Sequence, residues 1–290
     1  MRPEIPRPRK SLGQNFLIDR NYIRKIVSIA EIQPTETILE IGPGHGLLTR
    51  ELAQRARQVI AIELDRALCE ILRKTLSDLQ NLRLIQADAM TFDYQQLDGP
   101  LKVVANLPYY IATPLIFRLL EIRQRLTSMV LMLQKEVARR IVAGPGSKDY
   151  GVLSVTLQYY TEPRLMLTVP RTCFFPRPKV DSAIIRLKVM QKPRWSVKNE
   201  DWFFRVVRAG FSHRRKFLSN ALRDAGYSSE LVRQAFRQAG MDSKRRAETL
   251  SPLEFCALAD HLYVTSVAPP AARDHPGETA ADRRSAVAAR

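Results

Sequence analysis

Thr37-Ile-Leu-Glu-Ile-Gly-Pro-Gly-His-Gly46 is the stretch on which the fold turns. An apolar run with β-branched residues ends in glycines at 42, 44 and 46, and helical spacing starts at once with Leu47. Glycines so placed let a chain turn tightly and approach a ligand without Cβ clashes. The pattern is G-x-G-x-G and not G-x-G-x-x-G, because position 47 is Leu.

Reading outward, a second apolar run at 59–63 ends in Ile62-Glu63-Leu64-Asp65. An acid about twenty residues beyond such a loop can accept hydrogen bonds from both hydroxyls of a ribose. A third run at 82–85 leads into Gln86-Ala87-Asp88, and a fourth at 103–105 into Asn106-Leu-Pro-Tyr109-Tyr110. Runs at 129–133, 152–159 and 183–189 also read as strands, with helical spacing at Arg20–Ala30, 47–55, 67–79 and 114–123. Strands alternating with helices predict an α/β fold with a parallel sheet covered on both faces. The last two predicted strands, joined by a proline-punctuated segment, are expected as an antiparallel pair at the edge. Gly, Glu and Asp thereby fall at the carboxyl ends of successive strands, where open sheets bind ligands.

Beyond Val189 the pattern changes. Gln191-Lys-Pro-Arg-Trp195 reads as a linker, and apolar residues then recur at helical spacing over 201–211, 215–225, 229–239 and 252–264. Ser251-Pro-Leu-Glu254 predicts a helix start with serine as N-cap, proline first and glutamate at the third position; Ser229 with Glu230 suggests another. The predicted organisation is an α/β domain over 1–190, opening with a flexible basic arm at 1–10. A small all-helical domain follows over 195–264, then a disordered tail over 266–290 with almost no large apolar side chain.

Composition narrows the function. The chain has 290 residues, of which 45% are hydrophobic and 26% charged, as in ordinary globular proteins. No apolar stretch approaches the 18 or more residues of a membrane span, and no signal-peptide pattern follows the basic start. Three scattered cysteines without a Cys-x-x-Cys exclude a disulfide scaffold and a cysteine-built zinc site, and fit a reducing, cytoplasmic setting. His45 lacks partners at metal spacing and reads as loop filler, so no metal is expected. The net charge of +17 points to a polyanionic partner, nucleic acid or an anionic membrane surface, with nucleic acid favoured over generic basicity for solubility. Arg205, Arg208, Arg214, Arg215, Lys216 and Arg223 cluster in the helical part, which stays positive even with its carboxylates.

Asn106 offers an amide oxygen and the main chain beside it a second acceptor; proline at 108 holds the preceding residue extended. Two acceptors converging on an amino group select an exocyclic amine and free its lone pair for attack. Tyr109 can stack on the base that carries the amine. A second aromatic element is Cys173-Phe-Phe-Pro-Arg-Pro-Lys179, where either phenylalanine can close on a flipped base and the other is expected in the core.

Taken together, Gly13-Gln-Asn-Phe-Leu17, Glu40-Ile-Gly-Pro-Gly44, Asn106-Leu-Pro-Tyr109, Leu133-Gln-Lys-Glu-Val137, Tyr150-Gly-Val-Leu-Ser154, Pro178-Lys-Val-Asp-Ser182 and Phe211-Ser-His-Arg-Arg-Lys216 resemble the small-subunit ribosomal RNA adenine dimethyltransferases of the KsgA type. The resemblance runs from about Lys10 to Leu262. It implies a Rossmann-like class I S-adenosylmethionine methyltransferase sheet with a C-terminal helical, RNA-binding domain. It further implies dimethylation at N6 of two adjacent adenosines in the 3′-terminal hairpin of 16S rRNA, during ribosome biogenesis in the cytoplasm. On the same ground Asn15, Leu17, Gly42, Gly44, Glu63, Asp88 and Asn106 are expected to hold S-adenosylmethionine. Asn106, Leu107, Pro108, Tyr109 and Phe174 are expected around the target adenine, and Arg214, Arg215 and Lys216 on the RNA. The implied partner is small-subunit rRNA or an immature small subunit, bound by a monomer. Tyr110 and Ala112 depart from the Asn and Ser common in the family. Two alternatives share part of the pattern: a resistance-type large-subunit rRNA dimethyltransferase, and a mainly non-catalytic RNA-binding assembly or transcription factor. The complete set of donor-site positions argues against the second.

Overall fold

The computed structural model describes Arg9 and residues 13–267; the rest of the predicted basic arm and nearly all of the predicted tail lie outside the described residues. The described residues open with β1 (Phe16–Leu17) and α1 (Arg20–Ala30). There follow β2 (Thr37–Ile41), α2 (Leu47–Ala53), β3 (Gln58–Glu63), α3 (Arg66–Thr75), β4 (Leu82–Gln86), β5 (Leu101–Asn106), α4 (Ala112–Leu120) and β6 (Leu126–Gln134). After α5 (Lys135–Val142) and α6 (Val152–Tyr160) come β7 (Thr161–Val169), β8 (Phe174–Phe175) and β9 (Ser182–Val189). Four helices close the described chain: α7 (Glu200–Phe211), α8 (Leu218–Asp224), α9 (Ser229–Gln238) and α10 (Pro252–Val267).

Seven strands form one sheet in the order β4-β3-β2-β5-β6-β9-β7. The first four pairings in that order are parallel, and β9 is antiparallel to both β6 and β7. From β2 the chain winds first toward β4 and then, from β5, toward the other edge, so the order reverses between β2 and β5. Their carboxyl ends frame the crevice where open sheets take ligands. The alternation of strand side chains decides which helices cover which face. Leu39, Ile41, Val103, Ala105, Leu131 and Ile185 pack with Leu115 and Leu119 of α4. Ile38, Val59, Val104, Val130 and Ile184 pack with Ile23, Ile26 and Val27 of α1 and Leu52 of α2.

The run at 152–159, predicted as a strand, is helix α6. Its side chains face two cores at once: Leu157 joins the sheet layer, whereas Val155 and Tyr159 join the core of the C-terminal helices. A helix buried on several sides shows no polar stripe, and its β-branched and aromatic residues then mimic a strand. The antiparallel edge pair exists, but β7 supplies its outer member. Pro163 disguises that strand, and it is tolerated there because an edge strand need not donate on its outer side. Helix α5 carried no expectation.

Helices α7 to α10 surround a second apolar core built on Phe203, Val206, Leu222, Phe236, Phe255 and Leu262. Tyr150, Val155 and Tyr159 belong to it, so that core reaches back well before the predicted linker. Tyr150 donates its hydroxyl to the Leu250 carbonyl at 2.8 Å. One buried cation was not foreseen: Lys102 of β5 donates to the carbonyls of Ala30 and Glu31 at 2.8 and 3.0 Å and pairs with Glu36 at 2.7 Å. It satisfies the carbonyl end of α1, where a positive charge is favoured. Among the described residues no helix is long and apolar enough to cross a membrane.

Candidate active site

A cleft of roughly 880 Å³, open to solvent, lies over the carboxyl ends of the parallel strands. Its walls come from the loops after β2, β3, β4 and β5 and from the segment at 13–16. Asn15, Gly42, Gly44, Glu63, Asp88, Asn106, Leu107, Pro108 and Tyr109 all line it.

The glycine loop is shaped by its backbone. Gly42 and Gly44 adopt left-handed φ of 68° and 56°. A Cβ on Gly44 would also meet the Phe16 ring at 2.8 Å, so only glycine satisfies both demands. Gly44 donates its N–H to Glu63 Oε2 at 3.3 Å, and Asp65 donates its own to Glu63 Oε1 at 2.9 Å. Each carboxylate oxygen keeps acceptor capacity toward the cleft. Burial pushes the Glu63 carboxyl above the usual range, partly offset by these two N–H groups.

Asp88 takes the Met90 N–H on Oδ1 at 2.8 Å, which fixes its side chain in the turn after β4. Its other oxygen has no hydrogen-bond partner among the described residues. Asn106 donates Nδ2 to the Asn15 carbonyl at 3.0 Å. Its Oδ1 and the Leu107 carbonyl accept no hydrogen bond among the described residues, whereas the Pro108 carbonyl is taken by Ile111 N–H at 3.2 Å. Two acceptors thus remain beside the end of β5. The Tyr109 hydroxyl lies 2.6 Å from Ser182 Oγ, which anchors the ring to β9. Burial raises the Tyr109 pKa, so the phenol stays protonated at neutral pH and holds the ring in place.

Leu17 and Phe174 stand apart from this set. They oppose each other in the short β1–β8 pair and are buried together, at 8% and 3% exposure. Leu17 reaches only a smaller neighbouring cavity, lined also by Glu40, His45 and Leu48. Of the two phenylalanines, one of which was expected in the core, Phe174 is the packed one and stands outside the cleft lining where the resemblance put it, whereas Phe175 is exposed at 55%. Arg214, Arg215 and Lys216 lie in the turn between α7 and α8, away from the cleft lining.

Several features of the site went unassigned in the sequence. Gln14 donates to Asp65 Oδ2 at 3.3 Å and accepts the Arg9 N–H at 2.7 Å. Arg9 pairs with Asp65 at 3.4 Å, which ties the N-terminal segment across the cleft. Tyr110 lies against Gly13, whose added Cβ would come within 2.9 Å of its ring. His45 stacks on Phe16 with centroids 4.0 Å apart, a packing role consistent with loop filler. Glu40, at the start of the glycine loop, is fully buried with Oε2 unpartnered, and burial pushes its carboxyl up to about 8.

The family profile described as ribosomal RNA adenine dimethylase matches residues 6–263. The chain belongs to that family. It is 51% identical over 266 residues to ribosomal RNA small subunit methyltransferase A of Moorella thermoacetica, covering 88% of this chain and 92% of that protein. Among solved structures, the 23S rRNA methyltransferase ErmE is similar with a TM-score of 0.68 and 32% identity, over 86% of this chain and 99% of that one. A dimethyladenosine transferase from Plasmodium falciparum gives a TM-score of 0.71 at 28% identity, over 84% and 95%. As a family member, this protein carries the expected class I methyltransferase sheet with helices appended after it.

Proposed function

We propose that this rRNA adenine dimethylase family member transfers methyl groups from S-adenosylmethionine to N6 of two adjacent adenosines in the 3′-terminal hairpin of small-subunit rRNA. The observation that carries this reading is the pair of unoccupied acceptors, Asn106 Oδ1 and the Leu107 carbonyl, at the end of β5 in the same cleft as the Glu63 carboxylate. The residues suit the donor: Glu63 for the ribose hydroxyls, the free Asp88 oxygen for the adenine amine, and the left-handed turn at Gly42 and Gly44 for close backbone approach. A sulfonium supplies an already activated methyl group. What remains for the protein is to place the amine and tune it.

Asn106 and Leu107 accept the two N–H bonds of the amine and draw its lone pair out of the ring plane. The once-methylated amine keeps one N–H, so either acceptor alone can hold it for the second transfer. Tyr109, fixed through Ser182, covers the base. Identity of 51% to a small-subunit methyltransferase, against 32% to ErmE, supports the small-subunit substrate. The basic turn at Arg214, Arg215 and Lys216 grips rRNA phosphates, which positions the RNA without specifying a base. The protein acts as a cytoplasmic monomer on immature small subunits.

The test is incubation with labelled S-adenosylmethionine and small subunits lacking the modification, followed by nucleoside analysis, with large-subunit RNA in parallel. Dimethyladenosine in the small-subunit sample alone is expected. Label only in large-subunit RNA, or in neither, would overturn the assignment.

A further inference from the structure

Pairing with β1 sends the two phenylalanines of β8 opposite ways. Phe174 lies across from Leu17 and joins the core, whereas Phe175 lies across from Phe16. Directly opposed residues of an antiparallel pair share a face. Phe175 therefore stands on the side of Phe16, whose ring lines the cleft, yet it is 55% exposed and closes nothing.

Its surroundings are basic. In the loop from Arg171 to Val180, the exposed side chains include Arg171, Phe175, Arg177 and Lys179. Arg177 and Lys179 have no ion pair among the described residues. Asp181, the nearby acid, accepts the Arg171 N–H at 3.0 Å, and the Arg171 guanidinium donates to the Lys179 carbonyl at 3.3 Å. Pro176 and Pro178 fix φ on either side of Arg177 and stiffen the loop. An isolated exposed ring is unremarkable. A rigid one beside the catalytic cleft, interleaved with unpaired cations, has the chemistry of a single-strand nucleic-acid platform.

We propose that Phe175 stacks on a nucleotide adjacent to the target adenosine, with Arg177 and Lys179 against the flanking phosphates. The inference rests on the rRNA reading above. A base drawn from its stack leaves its neighbours uncovered on one side, and an aromatic platform outside the pocket recovers part of that loss. Stacking accepts any base, so Phe175 contributes RNA affinity and placement rather than choice of the methylated atom. Phe175 is thus a positioning residue.

The experiment compares wild type with Phe175→Ala, Phe175→Leu and Phe175→Tyr. It measures dissociation constants for unmodified small subunits by filter binding, KM and kcat for methylation, and S-adenosylmethionine affinity by calorimetry. Stacking predicts that Ala and Leu both weaken subunit binding and raise KM by about 5- to 150-fold, the range of one base–aromatic stack. Tyr should restore both, with donor affinity unchanged throughout. Unchanged binding in Phe175→Ala would overturn the proposal. So would recovery by Leu, which indicates plain apolar cover, or an equal loss of donor affinity, which indicates a role in holding β1. Binding is read without catalysis, so wild-type protein that bound subunits but methylated nothing would refute the proposed function while leaving the Phe175 comparison decisive.

Discussion

At the scale of single residues, Asn106 joins the two halves of the site. Its amide nitrogen is committed to the Asn15 carbonyl, which orients its oxygen and ties the end of β5 to the N-terminal segment. Asn106→Ala removes one of the two acceptors proposed for the amine while leaving the Leu107 carbonyl in place. By comparison with loss of one preorganised polar group from other active sites, kcat should fall about 100- to 1,000-fold. The side chain is only partly buried, so the variant should fold, and single-turnover methylation beside a thermal melt separates chemistry from stability. Gly42, Glu63, Asp88 and Asn106 were legible because each follows an apolar strand, and strand ends are where such sheets bind ligands. The split between Phe174 and Phe175 was not. It depends on register with a two-residue strand, and one step of register exchanges the buried ring for the exposed one.

At the scale of elements, local chemistry succeeded where polar caps mark an end and failed where burial hides the period. Helix α10 begins as Ser251 and Glu254 foretold: Glu254 N–H donates to Ser251 Oγ at 3.2 Å, and Ser251 N–H to Glu254 Oε2 at 2.7 Å. The start near residue 229 is shifted by one, because Ser228 is the residue that caps the Leu231 N–H. Helix α6 shows the failure, since its surroundings and not its own pattern make it helical. The α10 cap also predicts a pH effect. The Arg245 guanidinium, with the Ser251 hydrogen bonds, holds the Glu254 carboxyl down at about 2. An acid with a folded pKa below its unfolded one stabilises the fold above the unfolded value, near 4.3, and loses that contribution as pH falls through the folded one. The pair is partly exposed, so solvent screening leaves about 1 kcal/mol at pH 7. Glu254→Gln keeps a side chain able to cap but removes the charge. Its melting temperature should lie about 2–4 °C below wild type at pH 7, with the gap closing between roughly pH 5 and pH 2. A gap independent of pH in thermal melts would show that the ion pair contributes nothing.

At the scale of the whole molecule, the net charge of +17 is spread along the chain, with exposed cations both in the loop beside the cleft and in the helices beyond it. The α7–α8 turn exposes three consecutive cations that differ in their engagement. Lys216 pairs with Asp224 at 2.8 Å, and Arg214 lies 4.0 Å from Glu248. Arg215 has no ion pair among the described residues. A cation already half-neutralised by a neighbouring acid releases fewer counterions when it meets a phosphate, so the three should not contribute equally. Each phosphate contact steepens the fall of log affinity with log salt by about 0.7–0.9. Arg215→Ala should therefore flatten that slope for small-subunit binding by nearly one unit, and Lys216→Ala by less. Because this turn lies outside the cleft, kcat at saturating subunits should be unchanged in both. Binding titrations between about 50 and 200 mM salt resolve a difference of this size. Equal slopes for wild type and Arg215→Ala would remove the turn from the RNA interface and leave the loop at Arg177 and Lys179 as the better candidate for the electrostatic grip.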